Sequence, residues 1–300
     1  MKDYVVFTLS ANKQLAKHLA SDLKAELGEI STRRFSDGEV MVKIETPVFG
    51  KDVILIESTS NSAQEKIFEL LLLIDSINRG GARTIQFFIP YFGYSRQERS
   101  YTNEPVSCQV IANVLETANY SSLSSLDLHH PIIKSFFKKS INNLATSSLF
   151  VNYYLNYIKE HKIDMKDVVV VAPDHGSNVR IEAVADKLGG QKIIMEKIRP
   201  TANVAEHLEI NEDVANKTCI IIDDIIDTGG TIASAANLLY KKGAKFVLVG
   251  ASHAVFSGDC LNVLRDAHIT DIAVTNTIEQ NLPEDVHVLD ILPIIKKEIY

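Results

Sequence analysis

The chain has 300 residues, with 31 Lys and Arg against 38 Asp and Glu, a formal charge of −7. Charged residues make up 23% and hydrophobic ones 46%, a globular balance that excludes a disordered, collagenous or disulfide-stapled protein and leaves room for two domains. The acidic total argues against a broad nucleic-acid-binding surface, but not against a local basic pocket for phosphates. Cys108, Cys219 and Cys260 are far apart and form no Cys-x-x-Cys pair, so they read as inert thiols in a reducing compartment. No run is long and apolar enough to span a bilayer, and the short N-terminal apolar run reads as a first strand, so a soluble cytoplasmic protein is expected.

Short β-branched runs alternate with helical patterns along the chain. Val5 to Phe7 predicts a strand and Asn12 to Leu27 a helix; Glu39 to Glu45 alternates as a hairpin strand would. Val53 to Ile56 predicts a strand, Ala63 to Arg79 a helix, Thr84 to Ile89 a strand and Ser107 to Ala118 a helix. A second series begins near residue 150, with a helix over Phe150 to Glu160, a strand over Asp167 to Ala172 and a helix over Asn178 to Leu188. Strands follow at Lys192 to Met195 and Cys219 to Ile222, then a helix over Thr231 to Lys241 and a strand over Phe246 to Ala251. A short helix at Val263 to Ala267, a strand at Asp271 to Val274 and a helix at Ile291 to Ile299 complete the order. This is α/β architecture with largely parallel sheets. In both halves a buried strand, a polar loop, a helix and a Gly-Ala-basic step recur in order, as in Gly81-Ala82-Arg83 and Gly243-Ala244-Lys245. Two repeated domains, 1–145 and 146–300, are expected.

The strongest local signal is the stretch from Ile220 to Thr231, in which Asp223, Asp224, Asp227, Thr228, Gly229 and Gly230 follow a buried strand and open a helix. Glycines let the backbone turn its N–H groups inward, and a helix N-terminus attracts phosphate. Thr228 and Thr231 offer hydroxyls to phosphate oxygens, while Asp223 and Asp224 suit sugar hydroxyls or hydrated Mg2+. The combination reads as a sugar-phosphate cradle; it lacks the Gly-Lys-Ser/Thr of a Walker loop.

Other positions are weaker on their own. Phe35, Asp37 and Glu39 alternate and would share one face of an extended segment, as a base-stacking set or as a plain hairpin. Arg96, Gln97 and Arg99 follow a strand, as a polyphosphate clamp or as a solvated basic loop. His129 could touch phosphate or ligate a metal, or be a surface histidine. Asp174 lies in a strand-to-helix turn and could equally cap a helix. Lys197 and Arg199 alternate at the start of a long polar segment.

Together these motifs, from Arg34-Phe35-Ser36-Asp37-Gly38-Glu39 through Tyr94-Ser95-Arg96-Gln97-Glu98, Asp127-Leu128-His129, Pro173-Asp174-His175-Gly176-Ser177 and the 223–231 loop, resemble the ribose-phosphate pyrophosphokinase family. The resemblance covers nearly the whole chain. It implies two tandem type I phosphoribosyltransferase-like domains. It also implies Mg2+-dependent transfer of the β,γ-pyrophosphoryl group of ATP to the 1-hydroxyl of ribose 5-phosphate. Phe35, Asp37 and Glu39 would contact adenine across a subunit boundary; Arg96, Gln97 and His129 would bind ATP. His129 and Asp174 would hold Mg2+, and Lys197 and Arg199, with Thr201 and Asn203 beyond them, would form a catalytic flexible loop. Asp223, Asp224, Asp227, Thr228, Gly229, Gly230 and Thr231 would bind ribose 5-phosphate. A homo-oligomer is implied, at least a dimer and in some relatives a hexamer. Glu98, His130, Ile132 and Ser177 depart from the family pattern. A catalytically silent regulatory member, or a phosphoribosyltransferase, are the alternative readings.

Overall fold

The computed structural model describes residues 3–174, 178–198 and 207–299, apart from the side chains of 178–180, 197, 198 and 207. Two compact units emerge. The first is Met1–Ala145 with Thr277–Gln280 and Leu292–Tyr300; the second is Thr146–Asn276 with Asn281–Ile291.

The first unit begins with β1 (Tyr4–Phe7), α1 (Lys13–Leu23) and β2 (Glu26–Leu27). A hairpin follows, β3 (Ile30–Arg34) with β4 (Val40–Ile44), and then β5 (Asp52–Ile56), α2 (Ala63–Arg79) and β6 (Thr84–Ile89). It closes with α3 (Ser107–Leu115), β7 (Ser122–Leu126) and β8 (Ile141–Leu144). The sheet order is β2-β1-β5-β6-β7-β8, all neighbours parallel. β5 is buried at every residue, which a sheet covered on both faces demands. α2 buries Ile67, Leu70, Leu73, Ile74 and Ile77, the single face its helical spacing defines. Each such side chain removed from water stabilises the unit by roughly 1.5–3 kcal/mol.

The second unit runs α4 (Ser147–Glu160), β9 (Val168–Ala172), α5 (Asn178–Leu188), β10 (Gln191–Ile194), and a hairpin of β11 (Glu196–Ile198) with β12 (His207–Glu209). Then come β13 (Thr218–Ile226), α6 (Gly230–Lys241), β14 (Phe246–Ala254), α7 (Cys260–Asp266), β15 (Asp271–Thr275) and β16 (Val286–Leu289). Its sheet is β10-β9-β13-β14-β15-β16, again wholly parallel. Each strand number is eight higher than its counterpart in the first sheet, and each unit adds one antiparallel hairpin after its second strand. The repetition read in the sequence is thus a repetition of topology. Separate apolar clusters cover the two faces of the second sheet, one around α6 and α7, the other around α4 and α5.

The chain ends with α8 (Leu292–Glu298). The sequence reading put this helix in a second domain of 146–300, but it falls in the first unit. Lys296 pairs with Asp22 of α1 at 2.7 Å. The segment Thr277–Gln280 joins the same unit through buried polar contacts: the Thr277 carbonyl accepts from Asn12 Nδ2 at 3.1 Å and from Ser58 Oγ. α1 is shorter than expected because Lys24 adopts a left-handed conformation (φ 53°) and ends it, freeing Glu26 and Leu27 to pair with β1. All three cysteines are buried and free; burial pushes the thiols of Cys108 and Cys219 up to about 12. Among the described residues no helix is long and apolar enough to cross a membrane.

Candidate active site

The 223–231 segment of the second unit has a different shape from the one expected. The sequence placed Asp223 and Asp224 after the end of a strand; the strand instead continues through them to Ile226, paired with β14 as far as Ala254. Adjacent strand residues face opposite ways, so the two carboxylates diverge. Asp224 is buried and Asp223 is half-buried, with Asp223 Oδ1 accepting from the Asp224 N–H at 2.8 Å.

Asp227 then leaves the sheet, and Gly229 takes φ +82° at the N-cap of α6 without a side-chain cap. No N-cap side chain covers the first N–H groups of α6, which stand at the positive end of a 12-residue helix. Thr228 and Thr231 are exposed on either side of the two glycines. A second segment, which the sequence did not flag, clasps this loop. The N–H groups of Val255 and Phe256 donate to the Ile226 carbonyl, and that of Ser257 to the Asp227 carbonyl at 2.9 Å. Beneath them Cys260 is buried against Gly229, and burial together with the Asp227 charge pushes its thiol up to about 11.

Asp174 stands two residues past the end of β9 and is half-buried, while His175, Gly176 and Ser177 lie outside the described residues. Lys197 lies in β11, opposite Leu208 of β12. Its side chain, and Arg199, Thr201 and Asn203 entirely, fall outside the described residues. The polar segment expected after β10 is thus partly a hairpin.

In the first unit, Arg96 and Gln97 emerge just beyond β6, as the sequence predicted. Gln97 is tethered: its Oε1 accepts from Ser107 Oγ at 2.6 Å and its carbonyl accepts from the Cys108 N–H, so its amide nitrogen is the end left to donate. His129 lies in the loop after β7, one strand over in the same sheet. The Leu128 N–H beside it donates to Asn143 Oδ1 at 2.9 Å, and Asp127 takes φ +36°.

Phe35, Asp37 and Glu39 do not share a strand face. They form the tip of the β3–β4 hairpin, closed by Phe35 N–H donating to the Glu39 carbonyl at 2.7 Å and by Gly38 at φ +94°. Asp37 Oδ1 accepts from the Glu39 N–H at 3.1 Å. The Phe35 ring is 41% exposed, with the Arg33 guanidinium 5.1 Å from its centroid, so a flat aromatic surface stands at the tip.

Among the described residues no three His, Cys, Asp or Glu side chains gather as a metal-binding set. Mg2+, the ion the resemblance implies, is a hard cation that prefers oxygen ligands and keeps several waters. Asp174 offers the hard oxygen such an ion prefers; His129 offers a softer nitrogen.

Residues 4–118 match the model of the N-terminal domain of ribose phosphate pyrophosphokinase, and residues 147–285 match that of the phosphoribosyl transferase domain. The chain is 41% identical to the ribose-phosphate pyrophosphokinase of Bacillus cereus over 298 residues, covering 98% of this chain and 92% of that one. It is 41% identical to the Bacillus subtilis enzyme of the same name over 285 residues, covering 95% and 87%. A crystal structure of phosphoribosylpyrophosphate synthetase from Mycobacterium smegmatis superimposes with a TM-score of 0.89 at 32% identity, covering 99% of this chain and 97% of that one. With both family models in sequence and relatives matched nearly end to end, the chain belongs to the ribose-phosphate pyrophosphokinase family.

Proposed function

We propose that this chain transfers the β,γ-pyrophosphoryl group of ATP to the 1-hydroxyl of ribose 5-phosphate, giving 5-phospho-α-D-ribose 1-diphosphate and AMP. The observation that carries the reading is the uncapped N-terminus of α6, reached through Gly229 at φ +82° and flanked by two threonine hydroxyls. It supports Asp227, Thr228, Gly229, Gly230 and Thr231 as the seat of the 5-phosphate, with Asp223 and Asp224 toward the ribose hydroxyls. Because those two carboxylates diverge, each takes a different role. Half-buried Asp223 is the better placed for a hydroxyl, and buried Asp224 for holding the loop.

Arg96 and Gln97 bind the nucleotide in this reading, a guanidinium fork and a tethered amide matching phosphate oxygens. Phe35, Asp37 and Glu39 serve adenine, with the exposed Phe35 ring as the stacking surface. That role at an exposed hairpin tip is the reason to expect a homo-oligomer, at least a dimer, in which one copy completes the base site of another. Lys197 and Arg199 stabilise charge on the transferred group. His129 would hold Mg2+ with the nucleotide and Asp174 a second Mg2+ near the ribose; when bound, Mg2+ offsets charge on the phosphate oxygens. Positioning two anionic substrates, rather than proton transfer, is the main task of these residues. A cytoplasmic location is consistent with these phosphorylated substrates.

The test is production of AMP and phosphoribosyl diphosphate from Mg-ATP and ribose 5-phosphate. Product formation is the expected result. No product, with retained association with active family subunits, would make this a silent regulatory member. A phosphoribosyltransferase would instead consume the diphosphate and would have no use for the Arg96-Gln97 loop.

A further inference from the structure

We infer that Arg33 is a positioning residue of the base site: its guanidinium backs one face of the Phe35 ring and leaves the other face to the adenine. The inference rests on the adenine reading above. The residues of β3 and β4 are paired in register and alternate between two faces of the hairpin. Ile30, Val42 and Ile44 pack on the core of the first unit, so their face is turned inward. Arg34 continues that inner face. Its Nη1 donates to the Gly38 carbonyl at 3.1 Å, and its Nη2 stands 3.6 Å from Glu65 and 3.7 Å from Glu69 of α2. The hairpin tip is thereby strapped to α2. Arg33, one residue earlier, falls on the outer face opposite Met41, and both are exposed.

The two adjacent arginines therefore have different partners. Arg34 stands among carboxylates, whereas among the described residues Arg33 is paired with none. The Arg33 guanidinium lies instead 5.1 Å from the centroid of the Phe35 ring, within reach of a cation–π contact. A phenyl side chain at an exposed tip turns about two bonds, and a base that stacks on it must immobilise both. A cation seated on one face holds the plane of the ring before the base arrives. It also occupies that face, so a purine stacks on the other. The ring is 41% exposed, which leaves such a face open to solvent. Removing the guanidinium would free the ring to turn and leave the hairpin pairing and the Arg34 strap in place. The loss then falls on base binding. Triphosphate binding at Arg96 and Gln97 does not pass through Phe35 and would be spared.

Calorimetric binding of ATP, AMP and inorganic tripolyphosphate, with turnover alongside, tests this on Arg33→Ala, Phe35→Leu and the double variant. Arg33→Ala should bind ATP and AMP about three-fold more weakly and raise the KM for ATP to match. Its kcat, its KM for ribose 5-phosphate, its tripolyphosphate affinity, its urea midpoint and its mass in solution should stay at the parent's values. Phe35→Leu should weaken ATP and AMP further, and adding Arg33→Ala to it should change nothing more, because Arg33 acts through the ring. A second loss in the double variant, or a loss of tripolyphosphate affinity, would make Arg33 a direct contact of the nucleotide and overturn the positioning role. A lowered midpoint or mass would make it a structural residue of the hairpin or of a subunit boundary and overturn the role equally. Phe35→Leu keeps this failure apart from failure of the adenine reading. If that variant binds AMP like the parent, the base sits elsewhere and both fall. If it weakens AMP while Arg33→Ala does not, only the positioning role is lost. A parent that shows the binding pattern but makes no product loses the reaction alone, and a parent that binds neither ATP nor AMP overturns the role with the rest.

Discussion

A methyl group added to Gly229 would lie 3.0 Å from Cys260 Sγ and 3.3 Å from the Cys260 carbonyl oxygen. The phosphate loop therefore rests directly on the first turn of α7. Gly229 also holds φ +82°, a conformation that costs other residues roughly 1–2 kcal/mol. Gly229→Ala should destabilise the second unit by about 1–3 kcal/mol and raise the KM for ribose 5-phosphate by about ten-fold or more. Gly230 provides the control, since its added methyl would meet only Thr228 Oγ1 at 3.9 Å. Gly230→Ala should leave the melting temperature close to the parent's. Equal losses in both variants would mean that the Cys260 contact does not set the loop.

Lys197 and Arg199 are assigned to charge on the transferred group, an interaction strongest in the transition state. Groups that act there lower kcat when removed and leave folding alone. Lys197→Ala and Arg199→Ala should each cut turnover by ~100-fold or more, with unchanged urea unfolding. Wild-type turnover in both variants would remove this segment from the reaction.

The first unit treats the corresponding end of its sheet differently. Glu57, directly after β5, is fully buried, and its carboxylate accepts from the N–H groups of Leu9, Ser10 and Ala11 and from Thr8 Oγ1 at 2.9–3.2 Å. Lys66 Nζ stands 3.6 Å away. β5 is the counterpart of β13 in the repeated winding, so Glu57 occupies the end of the strand whose partner in the second unit carries Asp223 and Asp224. One strand end thus ties down its neighbouring loop with an internal carboxylate, while the other leads into the phosphate loop. Glu57→Ala would leave three backbone donors without their acceptor, each worth roughly 1–3 kcal/mol when buried. A loss of about 3–5 kcal/mol in urea unfolding is expected, with Glu57→Gln intermediate. A loss below about 1 kcal/mol would show that the β1–α1 loop finds other partners.

The same contrast explains what could be read from the sequence. Runs such as Val168 to Ala172 and Ile220 to Ile222 announce strands buried on both faces, and the glycines at 229 and 230 announce a turn into a helix. These are local signals. The course of β13 through Asp223 and Asp224 was hidden because two carboxylates look like a strand's end; pairing with β14 carries the strand past them. The hairpin partners β3 and β12 were missed for a related reason: Ser31, Thr32 and the two arginines of β3, and three-residue β12, have too little apolar alternation to register alone. The return of Thr277–Gln280 to the first unit depends on hydrogen bonds across more than two hundred residues, to which no local pattern points. Likewise Ser107, which orients Gln97, looks like an ordinary helix-start serine until the loop is folded against it.

Asp271 gives the second unit a pH dependence of defined sign. It opens β15 and is buried; loss of hydration raises its carboxyl pKa above the ordinary value, only partly countered by the Tyr153 hydroxyl donating at 2.8 Å and by His287 and His161. His287 Nε2 lies 3.3 Å from the same oxygen. A carboxyl with a raised native pKa holds its proton more tightly folded than unfolded. Between the ordinary carboxylate value and the raised one the native state therefore binds more protons, and stability falls as pH rises through that window. Above it the penalty is constant. Asp271→Asn removes the titration and keeps an acceptor for Tyr153. Urea unfolding of parent and variant from about pH 4 to about pH 8 should show the variant gaining on the parent as pH rises, then a constant gap. A gap that does not change with pH, or that closes as pH rises, would place the titration elsewhere.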